Sequence, residues 1–231
     1  MALVKRAGRF VACLAIASAS MTGGCGGGGG DYSSSNPQPT QNLQSASPPV
    51  QPWTLPSTTL TATDSSGNTY SVTVSNTPGG SVTFNGQIAD TSVLAFSVSE
   101  NGVVVATDDT TAYYLTDPYS PLGLSGTTNG VAWSAIITSY TPFPSTLTVG
   151  SSGSVFSANY EDSMGNLIGG LTETYTVAAD TASDLLLNID ASGSVNGTSV
   201  AEALTYSISS TGALSLAQVQ ITVNGVTLTF K

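Results

Sequence analysis

Leu204-Thr205-Tyr206-Ser207-Ile208-Ser209 alternates large apolar side chains with small hydroxyl ones, and this period of two decides the fold. Successive side chains of a β-strand point to opposite faces, so Leu204, Tyr206 and Ile208 share a buried side while the other side meets water. The spacing recurs outward along the chain: Tyr70, Val72, Val74; Leu94, Phe96, Val98; Val131, Trp133, Ala135, Ile137; Tyr175, Val177; Leu185, Leu187, Ile189; Val226, Leu228, Phe230. Helix signals are nearly absent after Ser57. Alternation with a polar outer face marks antiparallel strands packed on one side. Turn signals separate them: Ser66-Gly67-Asn68, Asn101-Gly102, Gly165-Asn166, Thr211-Gly212 and Asn224-Gly225. The phase slips between Leu216 and Val219, which predicts a bulge near Ala217-Gln218. The expected fold is all-β: an antiparallel sandwich or barrel over residues 57–231, with strand order open.

Internal echoes suggest two similar halves, residues 57–144 and 145–231. Asp64-Ser65-Ser66-Gly67-Asn68 returns as Asp162-Ser163-Met164-Gly165-Asn166, and Asn85-Gly86 returns as Asn196-Gly197. Phe96-Ser97-Val98-Ser99 returns as Tyr206-Ser207-Ile208-Ser209. Each half is small for an independent core, so duplication predicts halves packed into one.

The start of the chain has a different character. Lys5, Arg6 and Arg9 precede the apolar run Phe10 to Ala19, after which small residues lead to Thr22-Gly23-Gly24-Cys25. This order reads as a bacterial secretory signal, and the run is about half of the ~20 residues a spanning helix needs. The tract ending at Cys25 and followed by Gly26 to Gly30 resembles the processing site of bacterial lipoproteins, although Thr22 stands where that family has Leu, Val or Ile. The resemblance implies a signal peptide over 1–24 and an acylated, membrane-anchoring Cys25. The alternative is ordinary cleavage after Ala17-Ser18-Ala19, leaving Cys25 a free thiol. Gly26 stands where an Asp, in lipoproteins of some Gram-negative bacteria, means retention at the inner membrane; the implied location is the outer membrane of the cell envelope. Residues 25–56 then form a lipidated cysteine and a Gly/Ser/Pro linker, since the stretch lacks any apolar period. A coil of about 30 residues reaches roughly 30 Å. Trp53 and Leu55 are candidates for docking on the domain edge.

Composition narrows the function classes. Past Arg9 the only cation is Lys231, whereas all fourteen acids lie at or after Asp31, so the mature chain carries one positive charge against fourteen negative, a net −13. Nucleic-acid binding needs several Lys or Arg to displace counterions and is excluded as a partner class, as is electrostatic docking on anionic lipid. Charged residues make up 8% of the chain against about 25% in ordinary soluble domains, so Ser, Thr, Asn and Gly must supply solubility. The two cysteines, Cys13 in the leader and Cys25, leave no pair for an internal disulfide.

Catalytic inventory is equally thin. The chain has no His, and the mature part has no Arg and only the terminal Lys231. A serine–histidine relay, a histidine metal site and a core Schiff-base lysine are therefore absent. Carboxylates remain in Asp108-Asp109, Glu161-Asp162, Asp180 and Asp184. Neighbours on one strand face opposite ways, so neither adjacent pair spans a sugar as glycoside hydrolysis requires, and solvated strand ends and turns account for these acids. The two Asp-x-x-Gly-Asn segments offer about two or three oxygens each where calcium takes six to eight, and tight turns want the same residues. No cofactor, no metal and no enzyme activity are expected. The candidate contact residues are Tyr113, Tyr114, Tyr119 and Trp133, in a Pro-stiffened stretch suited to a carbohydrate or protein partner. Packing in the core is the competing role for Trp133 and for one member of each aromatic pair. The expected function is a non-catalytic binding or structural module. A carrier of an apolar ligand and a carboxylate-dependent hydrolase are the rivals.

Overall fold

The computed structural model describes residues 40–41, 57–63, 67–116, 119–128, 131–144, 147–180, 184–209, 214–223 and 226–231. The leader, Cys25, the glycine run, Trp53, Leu55, the Asp64-Ser65-Ser66 segment, Pro118, Thr211-Gly212 and Asn224-Gly225 lie outside them. Every regular element among the described residues is a strand. The first half holds β1 (Thr40–Gln41), β2 (Thr58–Thr63), β3 (Thr69–Phe84), β4 (Gln87–Glu100), β5 (Val103–Thr116), β6 (Tyr119–Thr128) and β7 (Val131–Tyr140). The second holds β8 (Leu147–Thr148), β9 (Ser152–Asp162), β10 (Leu167–Ala179), β11 (Leu185–Val195), β12 (Thr198–Ile208), β13 (Leu214–Val223) and β14 (Val226–Phe230).

Twelve of these strands form one antiparallel meander in which each strand pairs with the next in sequence, β8 standing aside. The first and last then meet: Thr61 and Lys231 exchange both backbone N–H···O=C hydrogen bonds at 3.0 Å. The result is a nearly closed, barrel-like sheet whose two edges meet at that pair. Bringing the edges together shields part of the open backbone that makes sheets associate. Local chemistry supports each turn. Asn85-Gly86, Asn101-Gly102 and Asn196-Gly197 all have positive φ at both positions, the conformation that a two-residue hairpin turn requires. The expected bulge is present at Ala217: Thr205 pairs with Gln218 and Tyr206 with Leu216, leaving Ala217 without an opposite residue.

The alternation sorts side chains by face. Tyr70, Val72, Val74, Phe96, Leu187, Ile189 and Tyr206 point inward and belong to a single apolar cluster that spans both halves of the ring. Outward positions carry Ser, Thr, Asn and Asp, as in Thr172, Thr174 and Thr176 of β10. A membrane-spanning barrel has the reverse arrangement, an apolar band outside and polar groups within. Val72, Leu185, Leu187, Ile189 and Tyr206 present 0% of their surface to water, so no water-sized void adjoins these five. About eight strands make a ring that side chains just fill. Within the wider ring of twelve, Tyr160, Tyr206, Phe156 and Phe230 are the largest fully buried side chains among the described residues.

Strands β2–β7 fall within residues 57–144 and β9–β14 within 145–231, six to each half. Of the echoed turns, Gly67-Asn68 and Gly165-Asn166 each join the first two strands of their half, β2–β3 and β9–β10, whereas the Asn-Gly pair does not occupy equivalent places. In this meander Asn85-Gly86 turns β3 into β4 at the end where the chain enters the barrel, and Asn196-Gly197 turns β11 into β12 at the far end. Thr40 and Gln41, inside the stretch expected to be a solvated linker, pair with Thr148 and Leu147.

Candidate functional site

The four aromatic residues selected from sequence do not converge on one platform. Trp133 turns inward on β7, is 8% exposed, and packs at 5.5 Å from the Tyr160 ring. Its indole also lies over Gly126 on β6, where a Cβ would come within 2.6 Å of it. Tyr114 faces inward too, and its hydroxyl donates to the Thr91 carbonyl at 3.3 Å. Burial, with the charge of Asp90 adding, pushes its phenol up to about 12. Trp133 and Tyr114 are core residues.

Tyr113, one step along β5, faces out and is half-buried. Its ring stacks on Phe84 at 4.2 Å, and its hydroxyl meets Ser125 Oγ at 2.8 Å. Phe84 gets there because the β3–β4 hairpin shifts register between Pro78 and Ser81, beside Gly79-Gly80, and its tip lies over β5 and β6. Gly123 receives the ring: a Cβ there would stand 2.6 Å from Phe84 Cζ. Tyr119, at the start of β6, is half-buried between Tyr114 at 5.7 Å and Tyr140 at 5.9 Å. Burial pushes the Tyr140 phenol up to about 12 as well. With Phe143 against Tyr175 at 4.8 Å, these rings crowd the end of the barrel where the chain enters.

The opposite end was not singled out by sequence reasoning. It carries exposed apolar side chains on two hairpins: Val103 and Val104 after the β4–β5 turn, Met164 and Leu167 around the β9–β10 turn. Single apolar residues at turns look unremarkable in a sequence; the meander places these at a common end.

The acids separate into two populations. Asp162 belongs to the turn: its carboxylate accepts from the backbone N–H groups of Met164 and Asn166, each at 2.9 Å, and from the Asn166 side-chain amide at 2.9 and 3.2 Å. The hydrogen bonds from Asn166 hold this exposed carboxyl below its usual range. Asp180 accepts a hydrogen bond from Ser207 at 3.2 Å, and Asp109 faces solvent.

Asp108 does not fit the expectation of solvated strand ends. It is mid-strand on β5, 2% exposed, and accepts a hydrogen bond from Thr110 Oγ1 at 3.0 Å. Two further acids, Glu173 on β10 and Glu202 on β12, are 0% and 4% exposed. Register places Glu173 and Glu202 level with one another, each paired with Ala191 on the intervening β11. Burial pushes the Glu202 carboxyl well above its usual range, and the charge of Asp108 adds to the shift. Burial likewise raises the Tyr206 phenol, helped by the charges of Glu202 and Glu173. β5, which carries Asp108, stands half-way round the ring from β12, which carries Glu202. Sequence reasoning missed this cluster, although a signal was present: Glu173 shares the phase of Leu171, Tyr175 and Val177, and Glu202 that of Val200 and Leu204.

Among the described residues, no group of three or more acids, His or Cys is placed to hold a metal ion. Neither a family model, nor a curated protein, nor a solved structure matches the chain.

Proposed function

We propose that the protein is an exported, lipid-anchored component of a bacterial cell envelope whose barrel is a non-catalytic binding or structural body. The observation that carries this reading is the distribution of chemistry between the two faces of the barrel. The wall is hydroxyl-rich outside and apolar inside, so attachment to a membrane falls to Cys25 and its acyl chains, at about 0.8 kcal/mol per buried methylene. Gly26 after the cysteine supports the outer membrane as destination. Of the acids that remain after the inventory of catalytic groups, Asp162 is spent on its turn, Asp108 is enclosed in the core and Asp109 faces solvent on the other side of the same strand, which speaks against a hydrolase. The inward residues with no exposed surface, such as Leu185, Leu187 and Ile189, likewise speak against a carrier for an apolar ligand. What the barrel offers is its surface: half-exposed Tyr113 and Tyr119 near the point of chain entry, and the apolar hairpin tips at the far end.

Metabolic labelling with a radioactive fatty acid tests the anchor. Wild type takes up label and Cys25→Ala does not; equal label in both overturns the lipoprotein reading. Retention of the purified barrel on immobilised envelope polysaccharide tests the surface. Tyr119→Ala lowers retention several-fold if the aromatic end is the contact, and unchanged retention removes Tyr119 from that role.

A further inference from the structure

Four of the six large apolar side chains exposed among the described residues stand at the end of the barrel away from chain entry. Val103 and Val104 follow the β4–β5 turn, and Met164 and Leu167 flank the β9–β10 turn. Both turns are held in shape. The Asn101 side chain accepts from the Thr69 N–H at 3.0 Å, and Asp162 gathers the backbone N–H groups of Met164 and Asn166, each at 2.9 Å. Such tips lose little freedom when something settles on them, so more of the gain from burying their apolar surface is kept.

Each tip also sets an exposed aliphatic beside an acid. Val103 stands directly opposite Glu100, and Leu167 directly opposite Glu161. Past Arg9 the one cation of the chain is Lys231, which lies beside Thr61 where the sheet edges meet. A partner for these tips therefore has to bring the positive charge itself, and an anionic lipid surface is repelled. Spacing narrows the partner further. Only β6 and β7 separate β5 from β9, so the two hairpins stand three interstrand steps apart, about 15 Å, the length of roughly ten residues of helix.

We propose that this end of the barrel docks a cationic amphipathic segment of a partner protein. Its apolar side chains cover Val103, Val104, Met164 and Leu167, and its Lys or Arg side chains lie beside Glu100 and Glu161. The inference rests on the reading of the barrel as a binding body and names the partner class of one of its ends. An anchor at Cys25 leaves that end open, because the chain enters β2 from the other.

The probe is a synthetic helix of about 18 residues with Leu on one face and Lys on the other, long enough to span both tips. Its binding to the purified full chain is read by fluorescence anisotropy. The docking surface requires saturable binding that weakens as salt is raised. Val103→Ser combined with Met164→Ser weakens it by about tenfold or more, and Glu100→Gln combined with Glu161→Gln by several-fold at low salt. Ile88→Ser, an exposed apolar position on the β3–β4 hairpin at the entry end, binds as wild type does. Absence of binding, an equal loss in Ile88→Ser, or equal binding of a helix with Ser in place of Leu overturns the proposal. So does self-association, or retention on phosphatidylcholine vesicles, that the Val103→Ser, Met164→Ser variant abolishes, since the tips then serve a second copy or a bilayer. The anisotropy measurement is made in solution and does not involve Cys25. Its failure leaves the lipid anchor standing, and a failed fatty-acid label leaves this surface standing.

Discussion

The β9–β10 turn and the waist of the barrel handle the same functional group in opposite ways. At the turn, Asp162 sits in water among donors, and two backbone N–H groups and an amide favour its anion. At the waist, Glu202 is enclosed by apolar side chains with another acid as its electrostatic neighbour, and both conditions favour the neutral form. The two carboxyls therefore tie stability to pH with opposite signs. Asp162 stabilises above its unfolded value and loses that contribution as pH falls through its lowered folded value. Glu202 stabilises at low pH and loses that contribution as pH rises. Surroundings, not residue type, set what a carboxyl does in this fold.

That contrast can be broken or sharpened by substitution. The largest expected effect comes from disturbing the apolar layer that encloses the waist. Leu187→Ala, at a position with no exposed surface, costs about 2–5 kcal/mol in denaturant unfolding at any pH. A loss that varied strongly with pH would show that Leu187 acts through the acids instead of through packing. Glu202→Gln is next: the variant gains on wild type as pH rises, by up to about tenfold in the unfolding constant per unit for the proton concerned. Asp162→Ala follows, with a smaller loss of stability near neutral pH that disappears in acid, read from melting temperatures at two pH values. Parallel melting curves for this variant and wild type down to acid would remove the turn from the comparison. Smallest of all is Asp109→Asn, on the solvent face beside Asp108, expected within about 0.5 kcal/mol of wild type. A larger change would mean that the two faces of β5 are not energetically separate.

Much of the barrel was readable in advance because its rules are local. The period of two identified the inward residues from Tyr70 to Phe230, and Asn-Gly pairs marked hairpin turns whose backbone angles few other residues accept. The slip in phase located the bulge at Ala217. The acid cluster was readable in principle by the same rule, since Glu173 and Glu202 hold inward positions, but acids read as a class were assigned to solvent. The destination of the β3–β4 hairpin tip was not readable, because Phe84 reaches Tyr113 and Gly123 across strands distant in sequence. The meeting of the chain end with β2 was equally hidden.

The sequence by itself determined that the chain is built from strands, which face of each is apolar, where most turns fall, and that Lys231 is the one cation past Arg9; these follow from backbone geometry and composition. Only the tertiary structure decided that the chain end returns to β2, that Asp108 and Glu202 are enclosed on strands half-way round the ring from each other, and that Trp133 and Tyr114 lie inside while Tyr113 lies outside. The reason is physical: a strand's two faces are set by its own residues, whereas ring closure and contact across the interior depend on long-range pairings whose free energy no local segment contains.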